Sequence, residues 1–176
     1  MTAHRADVAI RAARPSDAGA IAAIYAPHVL TGTVSFETEA PDADAIMARM
    51  AAAGDVYPWL VAADSETVLG YAYAGRFRER AAYRFAVETT IYLADAAQRR
   101  GIGRRLYGAL LDDLRGRGFT QAIGVIALPN DASVALHEAI GFRAAGRFAA
   151  AGCKFGRWVD VGYWQCALAD RAGGAV

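Results

Sequence analysis

The stretch Gln98-Arg99-Arg100-Gly101-Ile102-Gly103-Arg104-Arg105 decides how the rest of this sequence is interpreted. It lies between a strand-like run, Thr89-Thr90-Ile91-Tyr92-Leu93, and an apolar periodicity that predicts a helix beginning near Gly101. Glycines at a helix start leave backbone N–H groups accessible to a bulky anion. Arginines there oppose the helix macrodipole by about 0.3–1 kcal/mol per charge, which a polyanionic ligand would offset. The stretch therefore predicts an anion-binding loop.

Composition limits the class of protein. The chain has 176 residues, of which 55% are hydrophobic and 21% charged, and its net charge is +1. These values predict a single domain over residues 1–176, with a core at about 8–168, and give no reason to expect nucleic acid or a membrane as partner. Two cysteines, no apolar run of about 20 residues and no signal-peptide pattern at the N-terminus predict a cytoplasmic location.

Hydrophobic patterning outward from the loop predicts the element order β-α-α-β-β-β-α-β-α-β-β. Antiparallel hairpins early in the chain and βαβ links later predict an α/β fold with a mixed sheet and helices on both faces. We expect one strand from about Tyr83 to Leu93 and a helix from Gly101 to near Gly116. Two final strands are predicted over about Arg143–Ala150 and Arg157–Leu168.

Three phosphate-binding motifs compete for the anion loop. A nucleotide P-loop needs Gly-Lys-Ser/Thr before its helix, which is absent here. The dinucleotide fingerprint needs a third glycine where this chain has Leu106. The remaining pattern, Gln/Arg-x-x-Gly-x-Gly/Ala, resembles the acetyl-CoA pyrophosphate loop of the GNAT N-acetyltransferase superfamily. The predicted element order matches that superfamily as well.

This resemblance implies acetyl-CoA as the donor and no metal. The strand before the loop would present its backbone to the pantetheine arm of acetyl-CoA. The helix that begins near Asn130 would form one wall of the groove that holds the cofactor. Asn130, Ser133 and His137 share one face of that helix, and Asn130 is also a helix N-cap. The residues predicted to bind the donor are Ile91, Tyr92, Leu93, Arg99, Arg100, Gly101, Ile102, Gly103, Arg104, Asn130 and Ser133.

Glu88 is the candidate general base. Transfer to an amine requires a base, because only the neutral amine attacks. Glu88 interrupts the apolar run from Phe85 to Leu93, and strict alternation places it on one face with Thr90 and Tyr92. Partial desolvation would raise the pKa of its carboxyl group into a useful range. The alternative is a glutamate that is exposed or paired for structural reasons.

His137 is the second catalytic candidate. In many members of the superfamily, a tyrosine seven residues after the helix asparagine lies near the CoA sulfur, and here that position is His137. A histidine there would protonate the thiolate or help to activate the amine. The alternative is a histidine with a purely structural role.

Several segments carry a closer resemblance, to the phosphinothricin N-acetyltransferase family, which includes methionine sulfoximine and sulfone acetyltransferases. This resemblance implies that Glu88 and His137 are the catalytic pair. It also implies a homodimer and a pocket for a small-molecule amine built from Phe36 and the segment 76–83. The segments are Tyr57–Ala62, Tyr71–Gly75, Tyr83–Glu88, Ile126–Asp131, Leu136–Phe142 and Trp158–Gln165. The implied substrate-binding residues are Phe36, Arg78, Arg80 and Tyr83.

Three hypotheses about function follow. The first is direct acetyl transfer from acetyl-CoA to the α-amino group of a small amino-acid-like substrate such as phosphinothricin or methionine sulfoximine or sulfone. Arg78 and Arg80 fit its anionic groups, because arginine binds such groups bidentately, although a solvated basic loop would look the same. The second is transfer to a peptide N-terminus, a polyamine or an aminoglycoside. The third is a catalytically silent acyl-CoA-binding module.

Overall fold

The computed structural model describes residues 8–65 and 67–169; residues 1–7, Glu66 and residues 170–176 lie outside the described part. Four α-helices and seven strands occur there. In chain order they are β1 (Ala9–Ala12), α1 (Ala18–Leu30), α2 (Ala43–Ala53), β2 (Trp59–Asp64), β3 (Thr67–Arg76), β4 (Ala86–Leu93), α3 (Ile102–Gly116), β5 (Gln121–Leu128), α4 (Asp131–Ala139), β6 (Arg143–Lys154) and β7 (Arg157–Ala167). The strands form one mixed sheet in the order β1-β2-β3-β4-β5-β7-β6. Only the central pair, β4 and β5, runs parallel.

The predicted element order is confirmed, but two predicted strand boundaries are wrong. The strand expected from about Tyr83 begins at Ala86, because 81–83 forms a 3-10 turn that the backbone of Arg80 closes. The strand expected to end at Ala150 continues to Lys154. A bulge within β6 allows pairing with β7 to resume beyond Ala150, whose N–H donates to Asp160 Oδ1 at 2.7 Å.

Helices cover both faces of the sheet. On one face, α3 buries Leu106, Leu110 and Leu114 completely, and full burial of each such side chain is worth roughly 1.5–3 kcal/mol. On the other face, α1 and α2 bury Ile21 and Ile46. The spacing of the leucines by four residues explains why α3 presents a single apolar face to the sheet.

Strand β4 distributes its side chains between these two faces. The ring of Tyr92 packs 4.9 Å from that of Tyr25 of α1, whereas the Thr89 hydroxyl contacts Tyr107 of α3. The register of β4 with β3 is continuous from Val87 to Leu93, so no bulge changes the alternation there. Glu88 consequently lies on the same face as Tyr92, as strict alternation predicted, and this is the face covered by α1 and α2.

Asp17 ties β1 to the start of α1. Its carboxylate accepts two hydrogen bonds from the Arg11 guanidinium, at 2.7 and 2.9 Å, and one from the Arg14 backbone N–H at 2.7 Å. The Asp17 side chain is almost fully buried. The Arg11 guanidinium and the Arg14 N–H hold the pKa of this carboxyl group below its ordinary value, against an opposing effect of burial.

None of the described helices has the length and apolar character needed to cross a membrane. No group of three or more His, Cys, Asp or Glu side chains within residues 8–65 and 67–169 is arranged to hold a metal ion.

We expect Asp17→Asn to lower the free energy of unfolding at pH 7 by ~1.5–3 kcal/mol, because it weakens charge-assisted hydrogen bonds in a buried position. The folded-state pKa of Asp17 is depressed, so its contribution is present above the unfolded pKa and is lost as pH falls through the folded pKa. Urea unfolding from pH 7 to pH 2 should therefore show the two proteins converging at the acid end. Asp112→Asn, in an exposed ion pair with Arg115, is the matched control and should cost under about 1 kcal/mol. A difference between Asp17→Asn and wild type that is independent of pH would contradict this account.

Candidate active site

The central parallel pair separates part of the way along its length. Strands β4 and β5 are paired from Ala86 and Gln121 as far as Thr89 and Gly124, after which β4 continues only with β3 and β5 only with β7. A narrow cavity of about 50 Å³ lies in the resulting fork. Its lining residues are Val34, Thr89, Thr90, Ile91, Tyr92, Val125, Ile126, Ala127, Asn130, Ser133 and His137. The structure thus brings five of the predicted site residues into one slot: Ile91, Tyr92, Asn130, Ser133 and His137.

The predicted anion loop lies at the start of α3. Gly101 is the N-cap of this helix with φ of 77°, a left-handed conformation that favours glycine, and no side chain caps the helix. Gly103 is favoured for a different reason: a Cβ there would lie 3.1 Å from the Leu93 side chain, which would have to move slightly. The side chain of Ile102 is buried, so only its backbone is available to a ligand.

The arginines of this loop remain on the surface. Arg99, Arg100 and Arg104 are exposed, and their guanidinium groups have no hydrogen-bond or ion-pair partner within the described part of the chain. Arg105 differs, because it donates to the backbone oxygen of Val8 at 2.9 Å. Three solvated cations beside an uncapped helix start fit a phosphorylated ligand.

A buried hydrogen-bonded chain joins α4, α3 and β4 at the apex of the fork. His137 Nε2 lies 3.0 Å from the Tyr107 hydroxyl, which in turn lies 2.8 Å from the Thr89 hydroxyl. Thr89 Oγ1 also lies 3.3 Å from the backbone oxygen of Ile123 on β5. The His137 ring packs directly on Gly124, where a Cβ would lie 2.5 Å from Nε2. These contacts fix the point at which the strands part.

His137 is held as a neutral group. Its Nδ1 lies 2.7 Å from the backbone oxygen of Ser133, and because a carbonyl only accepts, Nδ1 carries the proton. Nε2 then accepts from the Tyr107 hydroxyl. Burial lowers the pKa of the imidazole below its ordinary value, and the bond to Ser133 opposes this effect only in part. Both ring nitrogens are therefore occupied.

Glu88 lies at the same level of the sheet, between Gly75 of β3 and Ile123 of β5. Its carboxylate is partly buried, and desolvation raises its pKa, while the charge of Arg78 acts in the opposite direction. A Cβ on Gly75 would meet no atom within 4 Å, so space is open beside Glu88. A carboxylate with a raised pKa next to open space is suited to accept a proton.

The two predicted catalytic residues lie on opposite faces of the sheet. Glu88 faces α1 and α2. His137 lies on the face of α3 and α4, where Tyr107 connects it by hydrogen bonds to Thr89, the residue next to Glu88. No hydrogen bond joins Glu88 to His137 in the described structure. Any catalytic cooperation between them must act across the fork, from its two sides. The sequence did not identify Tyr107, because a tyrosine on the apolar face of a helix has the pattern of an ordinary core residue.

The predicted acceptor-binding residues lie in separate segments. Arg78 is exposed, stacks over the Phe77 ring at 4.3 Å and donates to the Phe77 backbone oxygen at 2.7 Å. Tyr83 packs edge-on against the same ring, at 5.7 Å. Arg80 precedes the 3-10 turn at 81–83. Phe36 lies on the loop between α1 and α2, in a cavity of about 540 Å³. The lining of this cavity includes none of Arg78, Arg80 and Tyr83. The structure therefore does not gather the four residues into one described cavity.

Comparison with known proteins agrees with this geometry. The model of the acetyltransferase (GNAT) domain matches residues 10–162. Phosphinothricin N-acetyltransferase from Streptomyces viridochromogenes is 43% identical over 165 residues, which cover 94% of this chain and 90% of that protein. The L-methionine sulfoximine/L-methionine sulfone acetyltransferase of Salmonella typhimurium is 34% identical over 164 residues, or 93% and 96% of the two chains. A GNAT superfamily phosphinothricin acetyltransferase from Sinorhizobium meliloti, solved with acetyl-CoA, superposes with a TM-score of 0.90 at 38% identity, over 95% of this chain and 92% of that one.

A forked mixed sheet beside an uncapped, arginine-rich helix start is the architecture of a protein that holds a phosphorylated acyl donor. The chain belongs to the GNAT acetyltransferase family and is an N-acetyltransferase that uses acetyl-CoA. The predictions of the fold, the enzyme class and the donor are thereby confirmed.

The structure makes a specific prediction about the ionisation of His137. Long-range proton–nitrogen NMR at pH 7 should show a neutral imidazole with the proton on Nδ1, because Ser133 accepts from Nδ1 and Tyr107 donates to Nε2. In Tyr107→Phe, the Nε2 resonance should shift while the proton stays on Nδ1. His28 serves as the internal reference, because it packs against Tyr92 rather than Tyr107. A His137 that is charged at pH 7, or that carries its proton on Nε2, would contradict this description.

Proposed function

We propose that this enzyme acetylates the α-amino group of a small amino-acid-like substrate, such as phosphinothricin, methionine sulfoximine or methionine sulfone. The relatives described above carry these compounds in their names and cover nearly the whole chain. The observation that carries the chemical part of the proposal is the position of Glu88, partly desolvated and next to the open space at Gly75.

Glu88 is the proposed general base, directly or through a water molecule. An amino-acid substrate arrives as an ammonium ion, and its nitrogen must lose a proton before it can attack. Desolvation raises the pKa of Glu88, which brings it closer to that of the group it must deprotonate. The neutral amine then attacks in a direct transfer, with both substrates bound together.

The donor is proposed to lie along the fork, with its phosphates at the start of α3. The backbone of Ile91–Leu93 and the slot residues Asn130 and Ser133 would hold the arm. Arg99, Arg100 and Arg104, with the backbone of 101–103, would hold the phosphates. Acetyl-CoA supplies the acetyl group as a thioester, whose carbonyl carbon the amine attacks and whose sulfur leaves.

His137 is proposed to assist from the sulfur side of the fork rather than at the amine. It lines the slot from α4, on the opposite face of the sheet from Glu88. Because it is neutral and fixed by Ser133 and Tyr107, its contribution is a preorganised wall of the slot beside the leaving group. This role needs no change in its protonation state.

The acceptor is proposed to bind on the Glu88 face, with its anionic groups near Arg78 and Arg80 and its apolar part near Phe36 and Tyr83. Arg78 is the cation whose field reaches Glu88, so it is the first candidate for the substrate carboxylate. The guanidinium group of Arg78 is solvated and presents the planar fork that carboxylates match.

The proposal includes a homodimer and a cytoplasmic location. The side chains of Phe148 and Trp158, on β6 and β7, are 61% and 71% exposed, which is unusual for large aromatics and suits a self-complementary interface. Cys153 and Cys166 are free thiols, in agreement with a reducing compartment.

The central test is a kinetic comparison of wild type with Glu88→Gln. Purified enzyme is incubated with acetyl-CoA and either L-phosphinothricin or L-methionine sulfoximine, and free thiol is measured. We expect Glu88→Gln to lower kcat/KM by about 10²–10⁴, the usual value of a general base. For wild type, the acidic limb of kcat/KM should lie above the ordinary pH range of a glutamate, because the folded pKa is raised.

Asp112→Asn, which neutralises an exposed carboxylate on α3, is the control and should keep the wild-type rate. A Glu88→Gln variant with full activity would exclude Glu88 as base. Absence of thiol release with either amine would exclude the substrate class. A wider screen with peptides and polyamines would then identify the acceptor, or, if acetyl-CoA binds without turnover, a silent binding module.

A second test concerns Arg78. Replacing it with alanine removes one charge-assisted contact to the substrate carboxylate, which corresponds to about a tenfold or larger increase in the KM of the amine. The KM of acetyl-CoA should stay unchanged. Arg84→Ala is the control, because Arg84 is also exposed and stacks on an aromatic ring, that of Phe85. Equal effects of the two substitutions on the KM of the amine would argue against a specific contact from Arg78.

A further inference from the structure

One cation of this protein differs from all the others. Of the 19 lysine and arginine residues in the sequence, 18 are arginine and one is lysine, Lys154. It is the last residue of β6, and only 4% of its surface is exposed. Its Nζ donates to the backbone oxygens of Val29 at 2.6 Å and Ser35 at 2.7 Å, with that of His28 at 3.5 Å.

Lys154 closes the C-terminal end of α1. The last carbonyls of a helix have no partner within the helix, and a positive charge near them is favourable. In α1, the Thr31 N–H and hydroxyl both donate to the backbone oxygen of Pro27. The Lys154 ammonium donates to the next two backbone oxygens, those of His28 and Val29. A residue of β6, more than 120 positions later in the chain, therefore completes this helix.

The same ammonium holds the loop that follows α1. The backbone oxygen of Ser35 accepts a hydrogen bond from Lys154, and the Ser35 hydroxyl lies 2.6 Å from the Tyr25 hydroxyl. The next residue, Phe36, lies with its ring on Gly152, where a Cβ would be only 2.3 Å from the ring carbons. Two residues of β6, Gly152 and Lys154, thus hold two consecutive residues of the loop.

We propose that Lys154 is a positioning residue for the acceptor amine: it fixes the loop 31–37, and with it Phe36, in the arrangement that acceptor binding requires. This inference rests on the proposed function, because it assigns Phe36 to the acceptor side. Lys154 does not touch the fork and is not a catalytic residue. It acts through the loop, so its effect falls mainly on the amine, since Val34 is the one loop residue that lines the donor slot.

The choice of lysine follows from the geometry. An ammonium group is compact and directs three N–H bonds to acceptors around one point, as the three oxygens here require. A guanidinium group is larger and planar, and its donors spread in a fixed fork that matches carboxylates. Arginine at position 154 would keep the charge but displace the loop. The variant Lys154→Arg therefore separates charge from shape.

The kinetic test compares Lys154→Arg and Lys154→Met with wild type. We expect both to raise the KM of the amine by about tenfold or more, because a small displacement of a substrate-positioning segment is costly. The KM of acetyl-CoA should change much less than that of the amine, because Val34 is the one residue of this loop among those that line the donor slot, and the others lie on β4, β5 and α4 with its N-cap. Arg157→Met is the matched control, since Arg157 is exposed and directly opposite Lys154 across β6 and β7. An unchanged KM of the amine in Lys154→Met, or parallel increases in both KM values, would overturn the proposal.

A second measurement does not depend on activity. Hydrogen exchange of the amides at 31–37 should be about tenfold faster in Lys154→Arg than in wild type, whereas amides of α3 should keep their rates. If wild type acetylates no amino acid but the loop is loosened, the proposed function has failed and the positioning contact stands. If wild type is active but exchange at 31–37 is unchanged, the positioning role has failed alone. Gly152→Ala, which displaces Phe36 and keeps Lys154, replaces Lys154→Met if that variant does not fold and should raise only the KM of the amine.

Discussion

The parallel pairing of β4 with β5 is the constraint on which the rest of the site depends. It ends after Thr89 and Gly124, and from there each strand is held only by its outer neighbour. Strands that separate inside a sheet leave backbone groups without ladder partners, and such groups need a ligand or water to satisfy them. The fork thus creates the need for an extended ligand. It does so next to the point where the hydrogen bonds of Tyr107 to His137 and Thr89 fix the separation of the two strands. In the proposed arrangement, the donor binds to backbone groups that the ladder leaves unpaired and that the surrounding packing holds in place.

The two faces of the forked sheet carry different chemistry. The face of α3 and α4 is closed by the buried, neutral His137, whereas the face of α1 and α2 is open at Gly75 and carries the charge of Glu88. The proposed base and the proposed leaving-group side of the reaction therefore lie in different environments, one charged and partly open, the other neutral and enclosed. Alternation along a single strand is sufficient to provide both, because consecutive residues point to opposite sides. This separation also explains why Glu88 and His137 do not contact each other.

Much of this arrangement follows from local sequence. Gly101 caps α3 at the point where the helical periodicity begins. The face on which Glu88 lies follows from alternation along β4, which a few neighbouring residues determine. Other features depend on contacts between distant segments. The length of β6 is set by a bulge that Asp160 stabilises from the next strand, and Phe36 packs on a glycine 116 positions later. No local pattern encodes such contacts. The one available signal was compositional: a single lysine among 18 arginines.

That composition has a chemical consequence for an enzyme that binds an activated acetyl group. A primary amine reacts with a thioester when it is neutral and accessible to it. The only lysine amine of this chain is enclosed, with its N–H groups directed at backbone oxygens, and guanidinium groups are too basic to react. Apart from its amino terminus, the protein therefore offers no nucleophilic nitrogen of the kind that it acetylates. Its lysine amine is thus protected from acetylation by its own donor, and the acetyl group is left for the amine that enters from outside.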